Sequence, residues 1–135
     1  QEVSHPSSIS QKAAVEALNG PQESVEEMRK AFDTRRCYMV DRLNMIEGIE
    51  CLMPKGAFYA YPVVSKFYGK KTGVSKICDS VDLCKYLLEE GRVACVPGVG
   101  FGTEEHIRLS YATSMNVIED AMDRIENALK KLMVE

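Results

Sequence analysis

Tryptophan is absent from the 135 residues, and histidine occurs only twice, at His5 and His106. With so few imidazoles, and with no C-x-x-C among Cys37, Cys51, Cys78, Cys84 and Cys95, there is no spacing that would hold zinc. An odd set of five cysteines is not a disulfide framework, and free, mostly buried thiols in a reducing compartment are expected. The expected location is therefore cytoplasmic, with an organelle as the alternative. Apolar runs are only a few residues long, too short for a membrane-spanning helix, and no signal peptide is visible. Neither sign of charge dominates. Seventeen Lys+Arg against 20 Asp+Glu give a net charge of −3 and a pI near 5.5, so nothing draws the chain generally to nucleic acid or anionic lipid.

What remains is the composition of one globular domain, 45% hydrophobic and 27% charged. At this length folding buries roughly two-thirds of the unfolded surface, enough for a single core without staples. The first residue is Gln, not Met, which raises the expectation of a piece from a longer protein.

Helical and strand periods alternate along the chain. A polar, turn-rich start from Ser4 runs into a modest helix over residues 11–18, which Asn19-Gly20-Pro21 stops. Ser24 and Glu27 have the spacing of a capping box for a second helix. Its apolar stripe is Val25, Met28, Phe32, Met39, Leu43 and Ile46. It is expected over about residues 22–46, roughly 20–24 residues and on the order of 35 Å, a length typical of a helix that bridges two domains.

Two short strands are predicted at residues 50–53 and 57–61, around the turn Pro54-Lys55-Gly56. Residues 65–78 read as a surface loop. Asp79 or Ser80 caps a third helix, with Gly91 as its left-handed stop. Strands follow at residues 93–96 and 107–111, and Ser114 opens a last amphipathic helix with Lys130 and Lys131 in its final turn. The expected fold is a two-layer α/β arrangement, a small antiparallel or mixed sheet covered by helices.

Arg108 is the most informative residue. On a strand, His106, Arg108 and Ser110 face one way while Ile107, Leu109 and Tyr111 face the other. If the apolar set faces the core, the guanidinium lies on a second surface, where its planar fork suits a carboxylate. A solvated edge arginine or an internal ion pair is the alternative. Pro97-Gly98-Val99-Gly100-Phe101-Gly102 reads either as a flexible loop or as a cradle of amides for an anion. It lacks both the G-x-G-x-x-G spacing and the Lys-Ser/Thr of a P-loop. No Cys-His pair carries a nucleophile signature, and no carboxylate stands out as a general base.

Several blocks in order resemble the C-terminal portion of class I aminotransferases, in the aspartate/prephenate aminotransferase branch of the fold-type I pyridoxal-phosphate enzymes. They are Pro54-Lys55-Gly56-Ala57-Phe58-Tyr59, Val96-Pro97-Gly98 with Phe101-Gly102, and His106-Ile107-Arg108-Leu109-Ser110-Tyr111-Ala112. The stretch Ser4 to Ala14 resembles the same branch, where it lies downstream of the cofactor lysine. The resemblance implies that Arg108 binds the α-carboxylate of an amino-acid substrate and that Phe58 lines that pocket. His5 stands where relatives often have Asn, near the subunit interface. It also implies pyridoxal 5'-phosphate and a homodimer for the intact protein, with amino-acid and 2-oxo-acid substrates.

The family's Schiff-base lysine sits in a block resembling S-K-x-x-x-x-x-G-x-R. Ser65-Lys66 and Ser75-Lys76 are followed by no Gly-x-Arg and fall in the wrong order. The resemblance therefore implies no catalytic, cofactor-binding or metal residue in this chain, no cofactor bound to it, and no activity of its own. Residues 1–20 correspond to the tail of the large domain and residues 21–135 to the small domain with its connecting helix. The implied reaction moves an amino group between an amino acid and a 2-oxo acid, with aspartate or glutamate and a dicarboxylic partner expected. Two alternatives remain: a stand-alone domain that binds a carboxylate or a protein, and the small domain of another fold-type I enzyme such as a lyase or synthase.

Overall fold

Ser7 closes the first turn of the chain: its hydroxyl accepts a hydrogen bond from the Ser10 amide at 3.2 Å and so caps helix α1, Ser8–Asn19. The protein is described here from a computed structural model that covers residues 4–72 and 75–134. It divides into two compact units, Gln1–Ala31 and Phe32–Glu135. The first unit holds α1, which buries no residue at all; Ile9 and Leu18 are more than four-fifths exposed. The Gly20 amide bonds Glu16 O at 2.8 Å and ends the helix where the sequence predicts.

Helix α2, Glu23–Met45, has the predicted length at 23 residues and runs from the first unit into the second. It begins one residue before Ser24, which therefore lies inside the first turn and not at the capping position. Of its apolar stripe, Met39 and Leu43 enter the core, whereas Val25 and Met28 are about half exposed.

The second unit contains everything else. Strands β1 (Tyr59–Ala60), β4 (Val96–Pro97) and β5 (Ile107–Ser110) form an antiparallel sheet in the order β1-β5-β4. Tyr59 pairs with Ser110 and Val96 with Arg108. Strand β5 is thus central. Ile107 and Leu109 on one face are almost completely buried, together with Tyr111. Helices α3 (Ser80–Glu89) and α4 (Met115–Val134) complete the unit, and the core includes Leu83 and Leu87 of α3 with Ile118, Met122, Ile125 and Leu129 of α4. Each such side chain contributes roughly 1.5–3 kcal/mol by leaving water.

Four expectations need correction. Residues 51–54 form no strand: Asn44 takes the place of a partner strand, its side chain bonding both the amide and the carbonyl of Cys51 at 2.8 and 3.0 Å, while Glu50 alone bridges Val63. The supposed surface loop at 65–78 contains a 3-10 turn, Ser65–Phe67, and a hairpin of β2 (Lys71–Thr72) with β3 (Ser75–Lys76). Phe67 and Ile77 from that stretch lie in the core, so a polar average over the segment hides its two apolar anchors. Third, the left-handed residue after α3 is Arg92, with φ of +56°, not Gly91. Gly91 is needed for closeness instead: a Cβ there would meet Leu87 O at 2.8 Å. The strand expected at 93–96 shortens to Val96–Pro97, preceded by irregular backbone after the left-handed Arg92.

Candidate functional site

Arg108 occupies the face of β5 opposite to Ile107 and Leu109, as the alternation requires. Its guanidinium carbon lies 4.4 Å from the ring centre of Tyr59 and 4.3 Å from that of Phe101. These are close cation-π contacts. No carboxylate among the described residues pairs with it, although the unit's other arginines include several tight ion pairs. The internal ion pair offered as an alternative is therefore not formed among those residues. A half-buried cation over two rings retains in-plane N–H groups that need an acceptor.

The two rings come from different elements. Tyr59 is on β1, directly across from Ser110, which places it diagonal to Arg108 on the ladder. Phe101 ends the 3-10 turn Gly98–Phe101. Tyr61 holds that turn against the sheet: its ring stacks on His106 at 4.7 Å and meets Phe101 edge-on at 6.4 Å. The Tyr61 hydroxyl shares a short hydrogen bond with Thr103 Oγ1 and donates to Gly98 O at 3.4 Å.

Three amides of this glycine-rich segment are turned inward. The Gly98 amide bonds His106 O at 2.8 Å, Gly102 bonds Val99 O at 3.1 Å, and Thr103 bonds Gly98 O at 3.2 Å. Those three donors are satisfied by carbonyls between residues 98 and 106. Gly98 is required for another reason, since a Cβ would collide with the carbonyls of Thr103 and His106. Nor is the segment simply loose. Beyond the turn, the Glu104 carboxylate accepts from both the amide and the hydroxyl of buried Ser80, at 3.0 and 2.9 Å. Tyr68 donates to Glu104 O at 2.6 Å, and burial pushes its phenol up to about 12.

Phe58 stands one ring away from the guanidinium. Its ring centre is 4.7 Å from that of Tyr59 and 6.3 Å from that of Phe32, with two-fifths of the residue exposed. Backbone bonds fix the turn that carries it: Tyr111 N donates to Phe58 O at 2.9 Å, and Tyr111 Oη donates to Ala57 O at 3.1 Å. Ala57 adopts φ of +58°, a left-handed conformation costly for a residue with a Cβ. Burial raises the Tyr111 phenol above its ordinary range, so this anchor stays protonated. His106 contributes its ring to Tyr61, and its Nδ1 is buried without a partner among the described residues.

The sequence points to Arg108 and Phe58, and Tyr59, Tyr61 and Phe101 join them only in the structure. The signal was the pairing of residues 57–61 with 107–111, which aligns an alternating pair of tyrosines beside Arg108. Phe101 had no such signal, because its position depends on the 3-10 turn.

The sequence profile of the class I and II aminotransferases matches residues 2–125. The aspartate aminotransferase of Bacillus sp. strain YM-2 is 47% identical over 127 residues, which are 94% of this chain and 31% of that protein. A probable aspartate/prephenate aminotransferase of Rickettsia felis is 43% identical over 136 residues, covering 100% of this chain and 33% of that protein. The crystal structure of the Rhizobium meliloti aspartate aminotransferase superposes with a TM-score of 0.92 at 44% identity, covering 98% of this chain and 33% of that one. The chain thus spans about a third of the length of these relatives.

Class I aminotransferases depend on pyridoxal phosphate, and the residues described here do not fit that group. The side chains gathered around Arg108 carry no primary amine. Lys66 lies 3.8 Å from Glu50, and Lys76 lines a separate hollow with Asp82, Lys85 and Glu89. With the profile, the relatives and the superposition in agreement over nearly all its residues, this chain belongs to the class I and II aminotransferase family.

Proposed function

We propose that the chain is the C-terminal part of a pyridoxal-phosphate-dependent aminotransferase that moves an amino group between an amino acid and a 2-oxo acid. Residues 1–20 are the tail of its large domain and residues 21–135 its small domain, with α2 as the connector. Aspartate or glutamate with a dicarboxylic partner is the substrate class, by analogy with the aspartate aminotransferases among its relatives. The intact protein is a cytoplasmic homodimer in this reading.

Arg108 supports it most. A guanidinium with two aromatic contacts and no carboxylate partner among the described residues is ready for an external anion, and the α-carboxylate of an amino acid fits its fork. Two parallel N–H···O bonds fix that carboxylate in the guanidinium plane. The Tyr59 and Phe101 rings restrain the plane itself, so the substrate's Cα–H takes a defined orientation. Phe58 extends the aromatic wall through Tyr59 and lines the pocket. The cofactor's lysine and phosphate ligands belong to the large domain, and the residues of this chain bind and orient. Without that lysine the chain alone neither forms the cofactor imine nor transaminates.

The test is kinetic. The protein encoded by the whole reading frame should transaminate aspartate or glutamate, and Arg108→Ala should weaken productive binding of both amino and oxo acids. A charge-assisted bidentate contact is worth about 1.5–3 kcal/mol, roughly 10- to 150-fold in kcat/KM. Unchanged kinetics would remove the assignment of Arg108. Appearance of an imine absorbance when the 135-residue chain is titrated with pyridoxal phosphate would overturn its expected incompetence.

A further inference from the structure

Two of the five cysteines meet. Cys84 lies on α3 and Cys95 lies one residue before β4, and their sulfur atoms are 3.3 Å apart. The other three do not share this arrangement: Cys51 bonds Leu52 O and Cys78 bonds Lys76 O, each at 3.7 Å, and Cys37 lies 3.9 Å from an Arg36 nitrogen. We propose that Cys84 and Cys95 form a redox-active dithiol, a modification site that peroxide closes to an intramolecular disulfide and that a small dithiol reopens.

Geometry favours closure. A disulfide needs its sulfurs about 2.05 Å apart, so the pair must approach by little more than 1 Å. Cys84 is held in a regular helix, but Cys95 is in irregular backbone between the left-handed Arg92 and the short strand β4. Movement can be taken up on the Cys95 side. Access comes from the same side: Cys95 is half-buried between exposed Ala94 and Val96, whereas Cys84 is 8% exposed.

Chemistry divides the roles. Cys95 donates its S–H to Cys84, which lowers the pKa of Cys84 and raises that of Cys95. Cys84 is accordingly the attacking thiolate and Cys95 the resolving thiol. The Cys84 thiolate attacks one oxygen of hydrogen peroxide, the O–O bond breaks, and hydroxide leaves with sulfenic acid on Cys84. Cys95 sulfur then displaces the sulfenic oxygen as water, giving the disulfide. Two thiols lose two protons and two electrons, and one peroxide takes them up to become two waters. The tie would fasten α3 to the residue next to Val96, the ladder partner of Arg108.

The experiment uses the 135-residue chain, fully reduced, exposed to a few equivalents of hydrogen peroxide and then blocked with N-ethylmaleimide. The expected result is an intact monomer lighter by 2 Da with three alkylated thiols, and a cross-linked peptide pair whose fragmentation joins Cys84 to Cys95. Dithiothreitol should restore all five reactive thiols. Cys78→Ser should oxidise like the parent, while Cys84→Ser and Cys95→Ser should each lose the 2 Da product. The parent protein carries the decision even if a serine variant misfolds. Cross-linking through Cys78, oxygen addition without a linkage, or full alkylation of Cys84 and Cys95 after peroxide would each overturn the proposal.

Discussion

Arg42 and Arg108 are both partly buried cations in the same compact unit, and they are satisfied in opposite ways. Arg42, on α2, reaches two carboxylates of α4, Asp123 at 2.6 Å and Glu126 at 3.1 Å, and also bonds the Tyr38 hydroxyl at 2.8 Å. Its ring contact with Tyr38, at 5.8 Å, is the looser one. Arg108 has two closer rings and no carboxylate among the described residues. The first arrangement completes the charge within the fold and joins two helices. The second screens the faces of the cation from water but leaves its in-plane donors for something else. An arginine's role is therefore read from its acids as much as from its burial.

The largest effect should separate the two residues. Arg108→Gln in the intact protein should raise KM for substrate carboxylates by roughly 10- to 150-fold while changing unfolding free energy by less than about 1 kcal/mol. Arg42→Met should do the reverse, costing about 1 kcal/mol in denaturant unfolding and leaving KM alone, since part of its network is solvated. A loss of substrate affinity in the Arg42 variant as large as that in the Arg108 variant would erase the contrast.

A smaller effect should come from the rings. Phe101→Ala removes one cation-π contact, worth about 0.5–1 kcal/mol, and should raise KM only a few-fold; Tyr59→Phe keeps its ring and should change little. Equal losses in both variants would mean that the Tyr59 hydroxyl, not ring contact, matters.

The smallest effects are in the pH dependence of stability, and they have opposite signs at the two sites. Hydrogen bonds from Lys130 and then Arg42 hold Glu126 below its ordinary range. A depressed carboxyl stabilises the fold above its unfolded pKa and loses that contribution as pH falls through the folded value. The Arg42 network should thus weaken in acid, an effect that Glu126→Gln removes. Tyr68, which ties Glu104 into the loop before β5, is raised to about 12 from 10, mainly by burial. Its contribution is complete below pH 10 and lost as pH climbs toward 12. Tyr68→Phe should flatten that alkaline limb in thermal melts, and an unaltered limb would place it elsewhere.

Legibility in the sequence followed the range of the interactions. Helices α2 and α4 were readable because their apolar residues recur at helical spacing whatever lies opposite. The alternation around Arg108 was equally local. By contrast, residues 50–53 had strand-like composition, yet the Asn44 side chain claimed the backbone of Cys51. Phe67 and Ile77 vanished into a stretch that reads as polar. Glycine after α3 suggests a left-handed stop, yet Arg92 takes that conformation and Gly91 serves the close approach to Leu87.

By itself the sequence determined the order of the four helices, the face of β5 that carries Arg108, and membership of an aminotransferase family through motifs in register. Those features depend on neighbours within a few positions. Only the tertiary structure decided that Arg108 lies over Tyr59 and Phe101, that the glycine-rich turn bonds to itself, and that Cys84 meets Cys95. Each of these brings together groups from different elements, and strand pairing and turn geometry fix such distances, which residue spacing along the chain cannot do.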